Sequence, residues 1–420
     1  MMCEGKHRVS GRQWFVTVAA VLVVCGMAST VSAAVIEGAL YSWGSDGYGK
    51  LGDGMTTDRW QPMVVPGLDG GVTAIATGFN HSLVFQDGQF YAWGFNGSGR
   101  LGIGGTEGGN YTTPQLVSGM GKGVTAVAAG AYHSLAIQDG KLYMWGRNNF
   151  GQVGIGNTTD RYTPQPVSVS ASNGDVTAVA AGDFYSLAIQ DGALYAWGYN
   201  GFGQLGIGNT TDRNIPQLVS GMGEGVTAVA AGQDHCLAIQ DGKLYAWGLN
   251  HNGQLGTGNF TNRSTPQPVL GMEEGITAFA AGGDTSMAVM DGHVYIWGYM
   301  LGTDYTTPQE VSGLTNIVEV AVAGDQYHET YYAYYALDAE GVLWAWGRND
   351  YGQLGVELRF GTSTWITTPQ RVGGDEGLTF ASISTYGSFV LAIGGKPVPE
   401  PVSLLVLGVG AAGVLSRRRR

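Results

Sequence analysis

The dipeptide Trp-Gly occurs at Trp43, Trp93, Trp145, Trp197, Trp247, Trp297 and Trp346, with spacings of 50, 52, 52, 50, 50 and 49 residues. Self-similarity at such a period marks a propeller or solenoid, because each unit can bury its apolar face only against the next. One unit reads as four short strands. Residues 124–130 are a β-branched run ended by glycine, and residues 133–138 alternate as a half-buried strand does. Asp139-Gly140 is a two-residue turn that requires positive φ at both positions, and residues 141–146 return from it. A glycine-rich loop over 148–157 follows, then a short outer strand at 164–167 whose prolines suit an edge. Four strands per unit make a propeller blade.

Complete units begin near Val72, Val124, Val176, Val226, Ile276 and Ile317. The chain enters mid-unit at residues 39–44 and leaves mid-unit at 380–393, so the two halves add up to a seventh blade. The predicted fold is therefore all-β: one seven-bladed β-propeller over residues 35–395, closed by strands from both ends. Composition agrees. Glycine supplies 71 of 420 residues, as many short strands joined by tight turns demand, and there is no Gly-X-Y period for collagen. Charged residues are 13% and aromatics 11%, the reverse of a disordered chain.

Both ends read as addresses. Residues 1–34 have the three parts of a secretory signal peptide: basic Lys6, Arg8 and Arg12, an apolar run from Trp14 to Ala28, and small residues Val31-Ser32-Ala33 before a cleavage point. A signal peptidase is the implied partner. Residues 396–420 hold Pro399-Glu400-Pro401, an apolar stretch over 402–415 and Arg417, Arg418, Arg419 and Arg420. Fourteen helical residues reach about 21 Å, short of a hydrocarbon core of about 30 Å, and the arginines would stay cytoplasmic. The tail resembles a PEP-CTERM sorting signal. That resemblance implies transient anchoring in the inner membrane by a transmembrane helix. It also implies recognition by an exosortase-type protease and delivery to the cell envelope, the outer surface or the medium.

The repeat resembles the RCC1 (regulator of chromosome condensation) family. The segments that carry the resemblance are Ala-Gly-x-x-His-Ser-Leu-Ala-Ile at 129–137, Asp-Gly-Lys-Leu-Tyr-Ala-Trp-Gly at 241–248 and Asn-Gly-Phe-Gly-Gln-Leu-Gly-Ile-Gly at 200–208. It spans nearly all of residues 36–393 and implies a seven-bladed ring. It does not bring a nuclear exchange activity or chromatin binding with it. The net charge is −12, and without Glu4, Lys6, Arg8, Arg12, Glu400 and the terminal arginines the body holds 14 basic and 31 acidic residues, about −17. Such a body repels nucleic acid.

Residues for chemistry are few. His81, His133 and His235 recur one per unit, with Tyr185 and Thr285 at matching positions, so they are read as packing residues and not as a metal site. Cys236 stands where other units have serine and is read as a strand residue. Without Cys3 and Cys25 it has no disulfide partner. Asp160-Arg161 and Asp212-Arg213 are read as an ion pair or a turn cap, not a calcium loop. No cofactor, metal or catalytic set is expected.

A binding site is expected where the repeat breaks. The unit at 297–311 lacks the Asn-Gly-x-Gly-Gln-Leu-Gly loop. The next unit expands its hairpin region with Tyr327, Tyr331, Tyr332, Tyr334 and Tyr335, and the loop after Trp346 carries Arg359, Phe360 and Trp365. Tyr, Trp and Arg dominate binding energy at interfaces, and loops on rigid scaffolds carry sites. The partner-binding residues expected are Tyr327, Tyr331, Tyr332, Arg359, Phe360 and Trp365. The function expected is an exported, non-catalytic binding or scaffold protein with an extracellular protein or polysaccharide partner. Two alternatives stand beside it. One is a glycan-acting enzyme using His328 and Glu329. The other is a matrix component that self-associates.

Overall fold

The computed structural model describes residues 38–105, 108–324, 332–356, 365–374 and 377–395. They form seven four-stranded antiparallel sheets. Blades 1 to 6 comprise residues 72–116, 124–167, 176–218, 226–268, 276–310 and 317–371. Each inner strand starts at the residue read from the sequence. Blade 7 joins Ala39–Gly44 and Arg59–Val64 to Thr379–Tyr386 and Phe389–Gly395. The N-terminal strand pairs in register with the last one, from Ala39 opposite Gly394 to Gly44 opposite Phe389. The first and last parts of the fold thus share one sheet.

The turns follow from the backbone. Asp139 and Gly140 sit at φ 50° and 73°, and Gln138 pairs with Lys141 across them. That is the mirror-image turn whose twist matches a hairpin, and Asp tolerates it through its short polar side chain. Each of the seven outer strands carries a proline, from Pro62 to Pro369, so no edge offers a full row of N–H donors.

The core lies in the seams between blades. Six of the seven Trp-Gly tryptophans donate the indole N–H to a carbonyl of the preceding blade's loop: Trp197 to Gln152 and Trp247 to Gln204 at 2.9 Å, and Trp43 to Gln353 at 2.8 Å across the closing seam. A leucine or valine after that carbonyl is buried, as Leu205 and Val153 are. The next residue is glycine at positive φ, and a β-carbon there would stand 2.6–2.9 Å from the indole Nε1 in all six seams. Only glycine can lie across that ring.

The same carbonyl takes a second donor. Ser186 Oγ gives to Gln152 at 2.9 Å and Cys236 Sγ gives to Gln204 at 3.2 Å. Cys236 is thus a serine surrogate, and burial pushes its thiol well up. The serine hydroxyl is spent on the carbonyl, so it accepts from His Nε2 of the previous blade: His133 to Ser186 at 2.8 Å, His235 to Ser286 at 2.9 Å. Burial holds His133 and His235 neutral, with pKa values lowered to about 3. The histidines fasten blades together. Asp160 and Asp212 accept the backbone N–H of Asn148 and Asn200 at 2.8 Å, so they cap the loop turns.

Candidate binding face

Within each blade, the turn between the first two strands and the loop after Trp-Gly emerge at the same end. Together they make one face of the ring. The residue before each His81-type position differs from blade to blade: Asn80, Tyr132, Phe184, Asp234 and Asp284 in blades 1 to 5. Here that variation places aromatics side by side across blades. Tyr132 of blade 2 stacks on Phe184 of blade 3, with centroids 5.0 Å apart and planes at 21°. Phe150 meets Phe184 edge-on at 5.2 Å and leads to Tyr199 at 5.0 Å. Tyr199 continues to Phe202, and Phe202 to His251, at 6.2 Å each. On the other side Phe79 touches both Tyr132 and Tyr386.

Guanidinium groups are threaded into this belt. Arg147 lies 5.3 Å from the Tyr132 centroid and 5.5 Å from that of Phe184. Arg100 lies under Phe95 and Tyr132 at 5.0 and 5.1 Å and donates Nε–H to the Gly97 carbonyl. Arg100 is buried and its pKa is lowered to about 10, so it is a fixed part of the scaffold. Arg147 and the aromatics are half-buried, with ring area left for a partner. Each aromatic–cation contact contributes about 0.5–1 kcal/mol at such a site and keeps the rings from reorienting. The face is therefore preorganised.

The axial channel opens at its centre. Small residues of the inner strands, such as Ala128, Ala180 and Gly282, leave a cavity of about 260 Å³. Its mouth is narrowed by hydrogen bonds: Tyr386 donates to Asp183, and Gln233 Nε2 donates to the other Asp183 oxygen at 2.8 Å. Asp234 accepts from Gln204, and Asp284 accepts from Gln254 and Tyr332. No group of three or more metal-binding side chains occurs among the described residues.

The residues singled out by sequence fall into three groups. Tyr327, Tyr331, Arg359 and Phe360 lie outside the described residues, as do His328, Glu329, Pro399, Glu400, Pro401 and Arg417 to Arg420. Trp365 is half-buried on this face, with the Arg348 guanidinium 4.3 Å from its ring. Tyr332 has to be corrected: it is 3% exposed, its ring packs 4.7 Å from Tyr299, and its hydroxyl donates to Asp284. Tyr334 and Tyr335 point inward as well, both 0% exposed. Their reason is local. Tyr335 donates to the Gln353 carbonyl at 2.7 Å, in place of the hydroxyl that Val390 lacks in blade 7. Tyr334 stands where other blades have serine and lays its ring 5.7 Å from Trp346. Sequence reasoning missed the belt of blades 2 to 4. Its signal was present as aromatics at the variable positions before and after His133, Tyr185 and Trp197.

No helix among the described residues is long and apolar enough to cross a membrane, and residues 402–415 lie outside them.

Comparison with known proteins places the fold and the address. Residues 340–393 match the RCC1 repeat, and residues 397–420 match the PEP-CTERM protein-sorting motif, which points to an exported, envelope-directed protein. The chain is 34% identical over 207 residues to the ultraviolet-B receptor UVR8 of Arabidopsis thaliana, covering 48% of this chain and 46% of that protein. It is 33% identical over 208 residues to the E3 ubiquitin-protein ligase HERC2 of Homo sapiens, covering 48% of this chain and 4% of that one. The match thus spans less than half the length of either relative. Among solved structures, Prp20p of Saccharomyces cerevisiae superposes with a TM-score of 0.74 at 22% identity, over 87% of this chain and 93% of that one. Human WBSCR16 gives 0.72 at 23%, over 86% and 100%. These likenesses show the fold. Residues 13–328, three quarters of the chain, match the RCC1-like domain, and the protein belongs to that family.

Proposed function

We propose that this protein is a non-catalytic binding module, exported to the cell envelope or matrix. There the aromatic–arginine face of blades 1 to 4 takes a protein or glycan partner. The observation that carries this reading is the belt running from Phe79 through Tyr132, Phe184 and Phe150 to Tyr199, half-exposed and braced by Arg147. Rigid aromatics with an arginine bind at little entropic cost and suit either a peptide or the faces of sugar rings. Trp365 and Arg348 extend the same chemistry to blade 6, where Tyr327, Tyr331, Arg359 and Phe360 belong to the proposed surface by sequence. The hydroxyl, imidazole and thiol groups described above are spent on seams, which favours binding over turnover. The tail would be taken by an exosortase-type protease and the leader by signal peptidase.

The test is capture from the source organism's solubilised envelope fraction by the immobilised wild-type protein. Phe184→Ala with Arg147→Ala should lose the captured partner, and Tyr331→Ala with Trp365→Ala should weaken it. Capture unchanged in both double variants would remove the face from consideration. Turnover of envelope polysaccharide by the wild type, abolished by Glu329→Gln, would replace binding with catalysis.

A further inference from the structure

Arg147 carries a guanidinium that has no acceptor among the described residues. It is half-buried and lies over the stacked Tyr132 and Phe184 rings, 5.3 and 5.5 Å from their centroids. Arg100 lies over the same Tyr132 ring at 5.1 Å and donates to the Gly97 and Ala131 carbonyls at 2.9 and 3.3 Å. Its charge meets no carboxylate among the described residues either; the arginine ion pairs there are Arg59–Asp53 and Arg348–Asp350. Burial first, and then the nearby Arg147 charge, lower the Arg100 pKa. The acidic neighbours are already engaged. Asp160 accepts the Asn148 N–H at 2.8 Å, and Asp183, next to Phe184, accepts from Tyr386 and Gln233. A carboxylate placed on Arg147 would take two parallel N–H bonds from the fork and offset the repulsion between the two cations.

The excess negative charge of the body does not forbid this. The Asp-Gly turns join the second and third strands of their blades, at the end of the ring opposite the belt. Asp87, Asp139, Asp191, Asp241 and Asp291 are all exposed there. A six-residue strand puts about 20 Å between the two ends, twice the screening length of about 10 Å at 0.1 M salt.

The loop residues of the belt have no main-chain donor left for a peptide. Arg147 and Tyr199 give their N–H groups to the Tyr132 and Phe184 carbonyls at 3.0 and 2.9 Å. Phe150 and Phe202 give theirs to the Gln152 and Gln204 side chains at 2.9 Å. A peptide laid on these rings would bury its own carbonyls unpaired. A sugar ring would not, because its C–H face is apolar and its hydroxyls stay at the rim, in water. Rings for it continue from Phe184 through Phe150, Tyr199 and Phe202 to His251, at centroid spacings of 5.0 to 6.2 Å.

We infer that the belt takes an acidic polysaccharide, with a uronate carboxylate on Arg147 and neighbouring sugar rings on the aromatics from Phe184 toward His251. The inference rests on the binding face proposed above and names its ligand.

The probe is a labelled galacturonate octamer, titrated into the full chain by fluorescence anisotropy. Its fully methyl-esterified form has the same rings and no charge. The acid should bind at least tenfold more tightly than the ester at low salt, and the margin should shrink as salt rises. Arg147→Gln keeps a side-chain stem against the rings and should bind acid and ester alike at an unchanged melting temperature. Arg147→Lys, a charge without the fork, should hold an intermediate preference. Phe202→Ala should weaken acid and ester by the same factor. No binding of the acid, equal binding of the ester by the wild type, a preference that survives Arg147→Gln, or tighter binding of an octaglutamate peptide overturns the inference. If any of these is found while capture from the envelope is still lost in Phe184→Ala/Arg147→Ala, the ligand class falls and the binding face stands.

Discussion

The seam between blades 3 and 4 and the seam between blades 5 and 6 join the same kind of strands by different means. In the first, one carbonyl of Gln204 holds Trp247 and Cys236, Leu205 is fully buried, and Gly206 lies across the indole. In the second, the loop is gone and an aromatic ring substitutes for a hydroxyl. Tyr334 packs on Trp346 and donates to the Tyr299 carbonyl at 3.2 Å. A repeat fold can thus lose a loop in one unit if a side chain in the next grows to fill the seam. The substitution is incomplete, and the remainder is a cleft.

Four tests, made with five substitutions, break or sharpen this contrast. The largest effect is expected from Trp197→Ala, which empties a complete seam and should cost about 3–5 kcal/mol in chemical denaturation. Trp346→Ala should cost about 1–2 kcal/mol less, because its ring borders a cleft and holds no carbonyl. Equal losses would mean that the two seams are energetically alike. Next is Tyr334→Ser, which restores the common residue but leaves a hole, at about 3 kcal/mol. In a chain whose Met300-Leu301-Gly302 is replaced by the loop of residues 199–212, the same change should cost close to nothing. A double-mutant cycle measures that coupling.

The third concerns the seam between blades 6 and 7. Glu319 accepts from Ser382 and from the Ile383 N–H at 3.1 Å, and burial raises its pKa from 4.5 to about 7. Folding therefore takes up a proton between about pH 4.5 and 7, and stability falls as pH rises through that window. Glu319→Gln should flatten this slope and stabilise the protein at pH 8 by about 1–2 kcal/mol. An unchanged pH profile would place the titration elsewhere. The smallest effect is at Asp46, which occupies the loop position held by asparagine in blades 1 to 4. It accepts the Leu51 N–H at 2.9 Å but has no amide to offer, whereas Asn148 donates to the Asn157 and Thr159 carbonyls. Burial raises Asp46 to about 7, again favouring the protonated form in the folded state. Asp46→Asn should gain about 1 kcal/mol at pH 8 and little at pH 4, read as a melting-temperature difference.

Much of the fold was legible because the repeat is local. Asp-Gly forces its own turn, Trp-Gly marks its own strand, and two half-units at opposite ends can only complete each other. The candidate site was less legible because its determinants are not local. Whether Tyr332 and Tyr334 face solvent is decided by a loop missing from the unit before, so an aromatic run that reads as a surface is partly a plug. The belt from Tyr132 to Tyr199 is assembled from ring pairs 34 to 52 positions apart in sequence. Each is unremarkable in its own unit, and they meet only when turn follows turn around the ring.

The shared blade 7 sets a boundary for processing. Phe389–Gly395 carries the register partners of Ala39–Gly44, and Gly395 lies four residues before Pro399. A cut at the sorting motif spares the closing strand. A cut only a few residues further in would leave Trp43 and the first strand without a partner and turn a closed ring into an open arc. The ring is also unfinished until residues 389–395 have been made and delivered to the first strand. Ala39–Gly44 must wait, unpaired on that side, for the segment that adjoins the sorting motif.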